Sequence, residues 1–269
     1  MIKRLFSYAN YQLVLFVGGG FSLAVLLSLT GAKPPPVATD VFELATRLDP
    51  AYAQGHRVLA SELARAGRNI EALDRLRAAR AADPRDGTLC LPLGDAARRA
   101  GSTREAREAL ACAVSYAPRS AEAQEAYGAV LLELGEAKLA VGAMEAALVL
   151  EPGRNELRQD LGTALARSGD LPGATRVFSE AVRRAPDDAG AVFNLGLVLR
   201  KQGRLEEAVS FLQRALALDP RMSRAHYQLA TLHAERGARE EALLHARALL
   251  KLEPTNADAA KLVKDLEGP

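Results

Sequence analysis

A chain of 269 residues with a formal net charge of +2 has no overall field to draw in DNA or RNA, and its two cysteines make neither a disulfide framework nor a four-cysteine zinc site. Aromatic residues at 5% and the lack of tryptophan argue against an aromatic-rich globular core. Alanine and leucine, both strong helix formers, dominate the 49% hydrophobic share instead.

Lys3 and Arg4 are the last charges before Lys33, and the densest apolar part between them runs over residues 13–29. About 20 helical residues span a hydrocarbon core of roughly 30 Å. Residues 1–32 therefore read as a transmembrane helix, retained as a signal anchor. A cleaved signal peptide has an apolar region of about 7–15 residues. Here the run is longer, and the best cleavage candidate, Thr30-Gly31-Ala32, leads straight into Lys33 and three prolines. Lys3, Arg4 and the terminal amine stand before the segment, Lys33 and Arg47 after it. The positive-inside rule then places the N-terminus in the cytoplasm and the rest outside, in the periplasm of a Gram-negative bacterium. Residues 33–36, with Pro34, Pro35 and Pro36, form a stiff spacer.

From there a fixed beat takes over. Prolines stand at 50, 84, 118, 152, 186, 220 and 254, every interval being 34 residues. Alanines keep the same interval at 38, 72, 106, 140, 174, 208 and 242, and glycines at 67, 101, 135, 169, 203 and 237. The physics of each series is local. The glycine closes a first helix, where a left-handed cap costs it little. The proline ends a second helix, since it lacks an amide hydrogen and clashes with a continuing turn. A hairpin of this size cannot bury its apolar face alone, so neighbours must stack. Six units cover residues 53–256, a half repeat covers 37–52, and residues 257–267 read as a capping helix within a repeat domain of 37–269. Pro92 falls inside the first helix of the second unit, which must start late, near Leu91, or kink. Pro172 sits in the first turn of a second helix and is benign.

The fifth unit, AGAVFNLGLVLRKQGRLEEAVSFLQRALALDP, carries Leu195, Gly196, Gly203, Ala208, Ala215 and Pro220 on the signature positions of the tetratricopeptide repeat, and the other units keep most of them, with Ala60 and Ala230 in place of glycine. The chain thus resembles the tetratricopeptide repeat family over residues 37–267. The resemblance implies an all-α, right-handed superhelical solenoid of antiparallel helix hairpins. Its first helices would line a concave groove that holds a protein or peptide partner.

On that geometry the groove changes character along its length. Units three and four present Glu122, Glu125, Glu156 and Asp160, an acidic stretch. Units five and six present Phe193, Asn194, Leu197, Arg200, Arg224, Tyr227 and Gln228, and these form the candidate protein-binding groove. Exposed aromatics beside arginine and amide groups combine apolar contact with hydrogen bonding. The alternative is that they are only well-formed consensus repeats. The carboxylate-clamp pattern of the family is absent, since Asn194 is alone in its series and the paired basic residues are missing before it.

Cys90 and Cys112 fall in one unit, on its two helices and at matching heights. In an oxidising compartment they can bond if their Cα atoms lie within about 7 Å; otherwise they are two unrelated thiols. His226 and His233 are seven residues apart, too far for joint ligation at i, i+4 spacing, and the four histidines read as core or surface filling. No catalytic residue, cofactor or metal site emerges. The reading is a membrane-tethered scaffold, not an enzyme, serving assembly, secretion or maturation at a bacterial envelope. A cytosol-facing anchored adaptor and a self-associating module, a homo-oligomer through Gly18, Gly19 and Gly20 or through the groove, are the alternatives.

Overall fold

The computed structural model describes residues 5–8, 11–14 and 36–268. The chain divides into two compact units, residues 1–118 and 119–269.

In the first unit, β1 (Leu5–Tyr8) pairs antiparallel with β2 (Tyr11–Val14), Leu5 opposite Val14 and Tyr8 opposite Tyr11. Over these eight residues the transmembrane-helix reading is corrected to a hairpin. Phe6, Tyr8, Tyr11 and Val14 are residue types that favour strands. The greater part of the apolar stretch, residues 15–29, lies outside the described residues. Among the described residues no helix is long and apolar enough to cross a membrane.

The helices of this unit are α1 (Pro36–Leu48), α2 (Ala53–Arg65), α3 (Asn69–Ala82), α4 (Cys90–Arg99) and α5 (Thr103–Tyr116). Proline at the first helical position suits α1, because the amide it lacks has no intrahelical partner there. Phe42 of α1 packs with Leu59 of α2, and its ring stacks on Tyr52 with centroids 6.4 Å apart. Pro92 has the effect its position dictates. A 3-10 turn occupies Gly87–Leu89 and α4 begins only at Cys90, so proline falls in the opening turn and the helix has 10 residues against 13 in α2.

The second unit holds α6 (Ala121–Glu133), α7 (Ala137–Leu150), α8 (Asn155–Ser168), α9 (Leu171–Arg184), α10 (Ala189–Lys201), α11 (Leu205–Leu218), α12 (Ser223–Glu235), α13 (Arg239–Leu252) and α14 (Ala257–Glu267). Side-chain caps open several of them: Ser120 Oγ accepts from Ala123 N, Asp188 Oδ1 from Ala191 N and Asn256 Oδ1 from Ala259 N, at 2.9–3.1 Å. Its core runs continuously through Leu131, Met144, Leu161, Phe178, Leu195, Leu212 and Leu229.

A glycine closes the turn of each full hairpin, and in four of the six a second glycine sits where the two helices cross. At the turn, Gly203 has φ +75°, and Arg204 N reaches back to Leu199 O at 3.0 Å in a Schellman closure of α10. At the crossing of the two helices, a glycine of the first receives a large side chain of the second. A Cβ at Gly94, Gly128 or Gly162 would lie 2.4–2.7 Å from Leu110, Met144 or Phe178 respectively. Small residues let the helices close to within one side chain's thickness, which is what buries Leu110, Met144 and Phe178.

Candidate protein-binding site

Residues 34 positions apart take equivalent places on successive first helices, so Phe193 of α10 and Tyr227 of α12 share one height. Leu197 follows Phe193 by one turn, and Arg224 and Gln228 flank Tyr227 on the same face of α12. These five line a hollow of about 410 Å³, completed by Ser223, by Leu249 and Glu253 at the end of α13, and by Asn256 and Asp258 at the start of α14. The hollow is floored by apolar groups and rimmed by one cation and two carboxylates.

Two of the groove residues differ from their sequence reading. Phe193 is not an exposed aromatic but is 2% exposed, its ring sunk in the core and covered by Arg224, whose guanidinium carbon lies 5.1 Å from the ring centroid. Arg200 does not present a free cation, because its Nη1 donates to Gln228 Oε1 and, at 2.8 Å, to Thr231 Oγ1, while Nη2 pairs with Glu235. It ties α10 to α12. Arg200 and the half-buried Asn194 stand apart from the hollow's lining. Tyr227, 37% exposed, and the exposed Arg224 are the groups a partner can reach.

Leu249, Glu253, Asn256 and Asp258 lie outside the first helices, so position in the repeat does not mark them as groove residues. The carboxyl of Glu253 is held below the usual carboxylate range, first by the Asn256 amide, whose Nδ2 donates to Oε2 at 2.7 Å, and then by Ser223. Asn256 is the signal that was available, since a cap before a terminal helix fixes where that helix begins.

Models of the tetratricopeptide repeat match residues 91–155, 160–223 and 199–266. The chain belongs to the tetratricopeptide repeat family. Proteins of this family (TPR proteins) mediate protein–protein interactions. Among solved structures, this TPR chain is similar to YrrB, described as a TPR protein with an unusual peptide-binding site, at TM-score 0.62 and 23% identity over 74% of this chain and 99% of that one. A tetratricopeptide repeat protein from Parabacteroides merdae ATCC 43184 aligns at TM-score 0.65 and 15% identity, over 86% of this chain and 91% of that one. MamA, from residue 41 to its end, of Desulfovibrio magneticus RS-1 aligns at TM-score 0.57 and 25% identity, over 64% and 97%. Among curated proteins none matches the chain.

In the acidic stretch, Glu125 is paired with Arg154 at 2.9 Å, and Asp160 is pushed up by burial and then by the charge of Glu125. In the first unit another hollow of about 410 Å³ lies between α2 and α4, with Arg57, Ser61, Pro92 and Asp95 in its lining. Burial raises the Asp95 carboxyl against the opposing effect of Arg98 and Arg99.

Cys90 and Cys112 are joined in a disulfide between α4 and α5, with Cα atoms 5.7 Å apart. The alternative of two unrelated thiols is thereby corrected: equal height on two helices of one hairpin brings the Cα atoms within bonding reach.

His245 of α13 was not linked to the other histidines by sequence, because it reaches them across the hairpin. His226 Nδ1 lies 3.1 Å from His245 Nδ1, and the ring of His233 stacks on His245 with centroids 5.8 Å apart. His226 Nε2, 3.3 Å from Pro220 O, must donate to that carbonyl, so its Nδ1 accepts from the Nδ1–H of His245. Among the described residues no group of three or more His, Cys, Asp or Glu is placed to hold a metal ion.

Proposed function

We propose that this chain is a membrane-tethered scaffold at a bacterial cell envelope. It uses the hollow between α10, α12, α13 and α14 to hold a peptide segment of a protein partner, and it is not an enzyme. The observation that carries the reading is the make-up of that hollow. Tyr227 stands at its mouth, Phe193 and Leu197 give it an apolar floor, and Arg224, Glu253 and Asp258 give it a charged rim. A peptide would seat one apolar side chain against Tyr227 and the partly exposed Leu197, with its flanking polar groups at the rim. Such a site draws most of its affinity from a central apolar anchor enclosed by polar groups that exclude water. The peptide-binding site in the description of YrrB supports a peptide as the ligand class.

The apolar residues that follow the hairpin, 15–29, supply the tether, and the basic residues ahead of them favour repeats outside the cytoplasm. The Cys90–Cys112 disulfide supports the same side of the membrane, because disulfides form most readily in oxidising compartments.

The test is capture of a partner by the full chain and by Tyr227→Ala, with helicity followed by circular dichroism. Losing an anchor of this kind is expected to weaken capture by about tenfold or more, equivalent to roughly 1–2 kcal/mol. Undiminished capture at unchanged helicity would sink the site.

A further inference from the structure

The disulfide between α4 and α5 is not surrounded by inert side chains. Arg80, in the last turn of α3, points its guanidinium at both sulfurs: Nη1 is 3.6 Å from Cys90 Sγ and Nη2 is 3.9 Å from Cys112 Sγ. A third bond fixes the group in place, since Nη1 also donates to Asp86 O at 2.9 Å, in the segment that leads into Cys90. Asp86 is itself held, its side chain accepting from Thr88 N at 2.9 Å. The two sulfurs differ in access. Cys90 is 2% exposed, whereas Cys112 is half-buried at the surface of α5.

We infer that Cys90–Cys112 is a thiol–disulfide exchange site for a low-molecular-weight monothiol, with Cys112 as the sulfur attacked, Cys90 as the leaving group and Arg80 as the residue that stabilises the departing thiolate. The assignment follows from access and charge together. Of the two, only the half-buried Cys112 has surface in contact with solvent to any extent, whereas Cys90 is enclosed, so an incoming thiolate approaches from the side of Cys112. As the new sulfur–sulfur bond to Cys112 forms, the old one breaks and its electron pair goes to Cys90 Sγ. That sulfur is enclosed, and burial alone would raise the energy of a thiolate there. The guanidinium 3.6 Å away reverses this, and exchange is faster the more stable the leaving thiolate. A second thiolate then attacks the small-molecule sulfur of the mixed disulfide, which expels the Cys112 thiolate and releases the symmetric disulfide. Each protein thiolate takes a proton from water. Two monothiols are oxidised and one protein disulfide is reduced to a dithiol.

What the exchange controls lies next to it. The helix that Cys90 opens is the short one, and its residues Pro92 and Asp95 line the hollow of the first unit. Reduction unpins α4 from α5 at the start of that lining.

The experiment incubates the full chain with excess reduced glutathione without oxygen, quenches with an alkylating reagent, and maps each cysteine by mass spectrometry over time. The expected intermediate carries glutathione on Cys112 and the alkyl group on Cys90. Arg80→Gln is expected to slow its formation by about tenfold and Arg80→Lys by much less, because a cation is kept. In the reduced wild-type chain, the pH profile of alkylation should show a thiol ionising below the ordinary value of about 8.5, and Arg80→Gln should shift it upward. A glutathione adduct on Cys90, or an Arg80→Gln chain of native helicity that reacts at the wild-type rate, overturns the inference. If Arg80→Gln fails to fold, the wild-type profile decides: two thiols that both ionise in or above the ordinary range overturn it.

Discussion

His245 shows how one side chain acquires a property that no neighbour in sequence would give it. Burial, followed by the charges of His226 and His233, pushes it down to about 4, well under the ordinary histidine value of 6.5. The folded chain therefore keeps His245 neutral where the unfolded chain takes up a proton. Stability depends on pH through that difference: it begins to fall as pH drops below about 6.5 and goes on falling until the folded-state value near 4 is passed. The thermal midpoint of the wild-type chain is expected to decline more steeply from pH 7 to pH 4 than that of His245→Asn. Parallel declines would show that the half-buried imidazole is not the cause. The same scale explains which groove residues were legible. Tyr227 and Arg224 are reachable as their positions in the repeat suggest, but Phe193 is enclosed by a guanidinium 31 residues further along. Arg200 is likewise consumed by Gln228, Thr231 and Glu235 of the next first helix. Position in a repeat gives direction, while exposure is decided by what the next repeat lays on top.

Among the elements, the hairpin is governed by complementary sizes at one crossing. Gly162 faces Phe178, and a Cβ added there would stand 2.7 Å from the tip of the phenyl ring. The sixth hairpin has alanine on both sides, Ala230 and Ala246, each fully buried, so the pair keeps its closeness by another division of volume. Gly162→Ala is expected to cost about 1–3 kcal/mol by overpacking. Adding Phe178→Leu should return part of it, since the shorter side chain withdraws from the new methyl. A double variant no more stable than Gly162→Ala, in denaturant melts of the two, would mean that the backbone, not the ring, resists the substitution. Helix ends were readable from composition because they rest on single-residue physics: the turn glycines from Gly67 to Gly237 all carry positive φ. Pro92 likewise delays its helix to Cys90. The hollow's second half was not readable, because Leu249 lies on a second helix, Glu253 just past its end, and Asn256 and Asp258 at the start of α14, none of them at a first-helix position of a repeat.

For the molecule as a whole, the proposed tether is tested by asking on which side of a membrane the repeats lie. With a C-terminal tag, the repeats should be digested by protease added to intact spheroplasts, after the chain has been found to sediment with membranes. Protection that disappears only on lysis would place the repeats in the cytoplasm instead and remove the oxidising surroundings invoked for Cys90 and Cys112. The prolines repeat at 34 residues throughout the helical part, and that constancy has a consequence for how such a chain can change. A deletion or duplication of 34 residues rejoins like to like, bringing the same turn, the same small residue and the same outward face into phase. Any other length rotates everything downstream by part of a turn and strands apolar side chains in water. Reach along a partner is therefore quantised, and evolution can lengthen or shorten it only by whole hairpins.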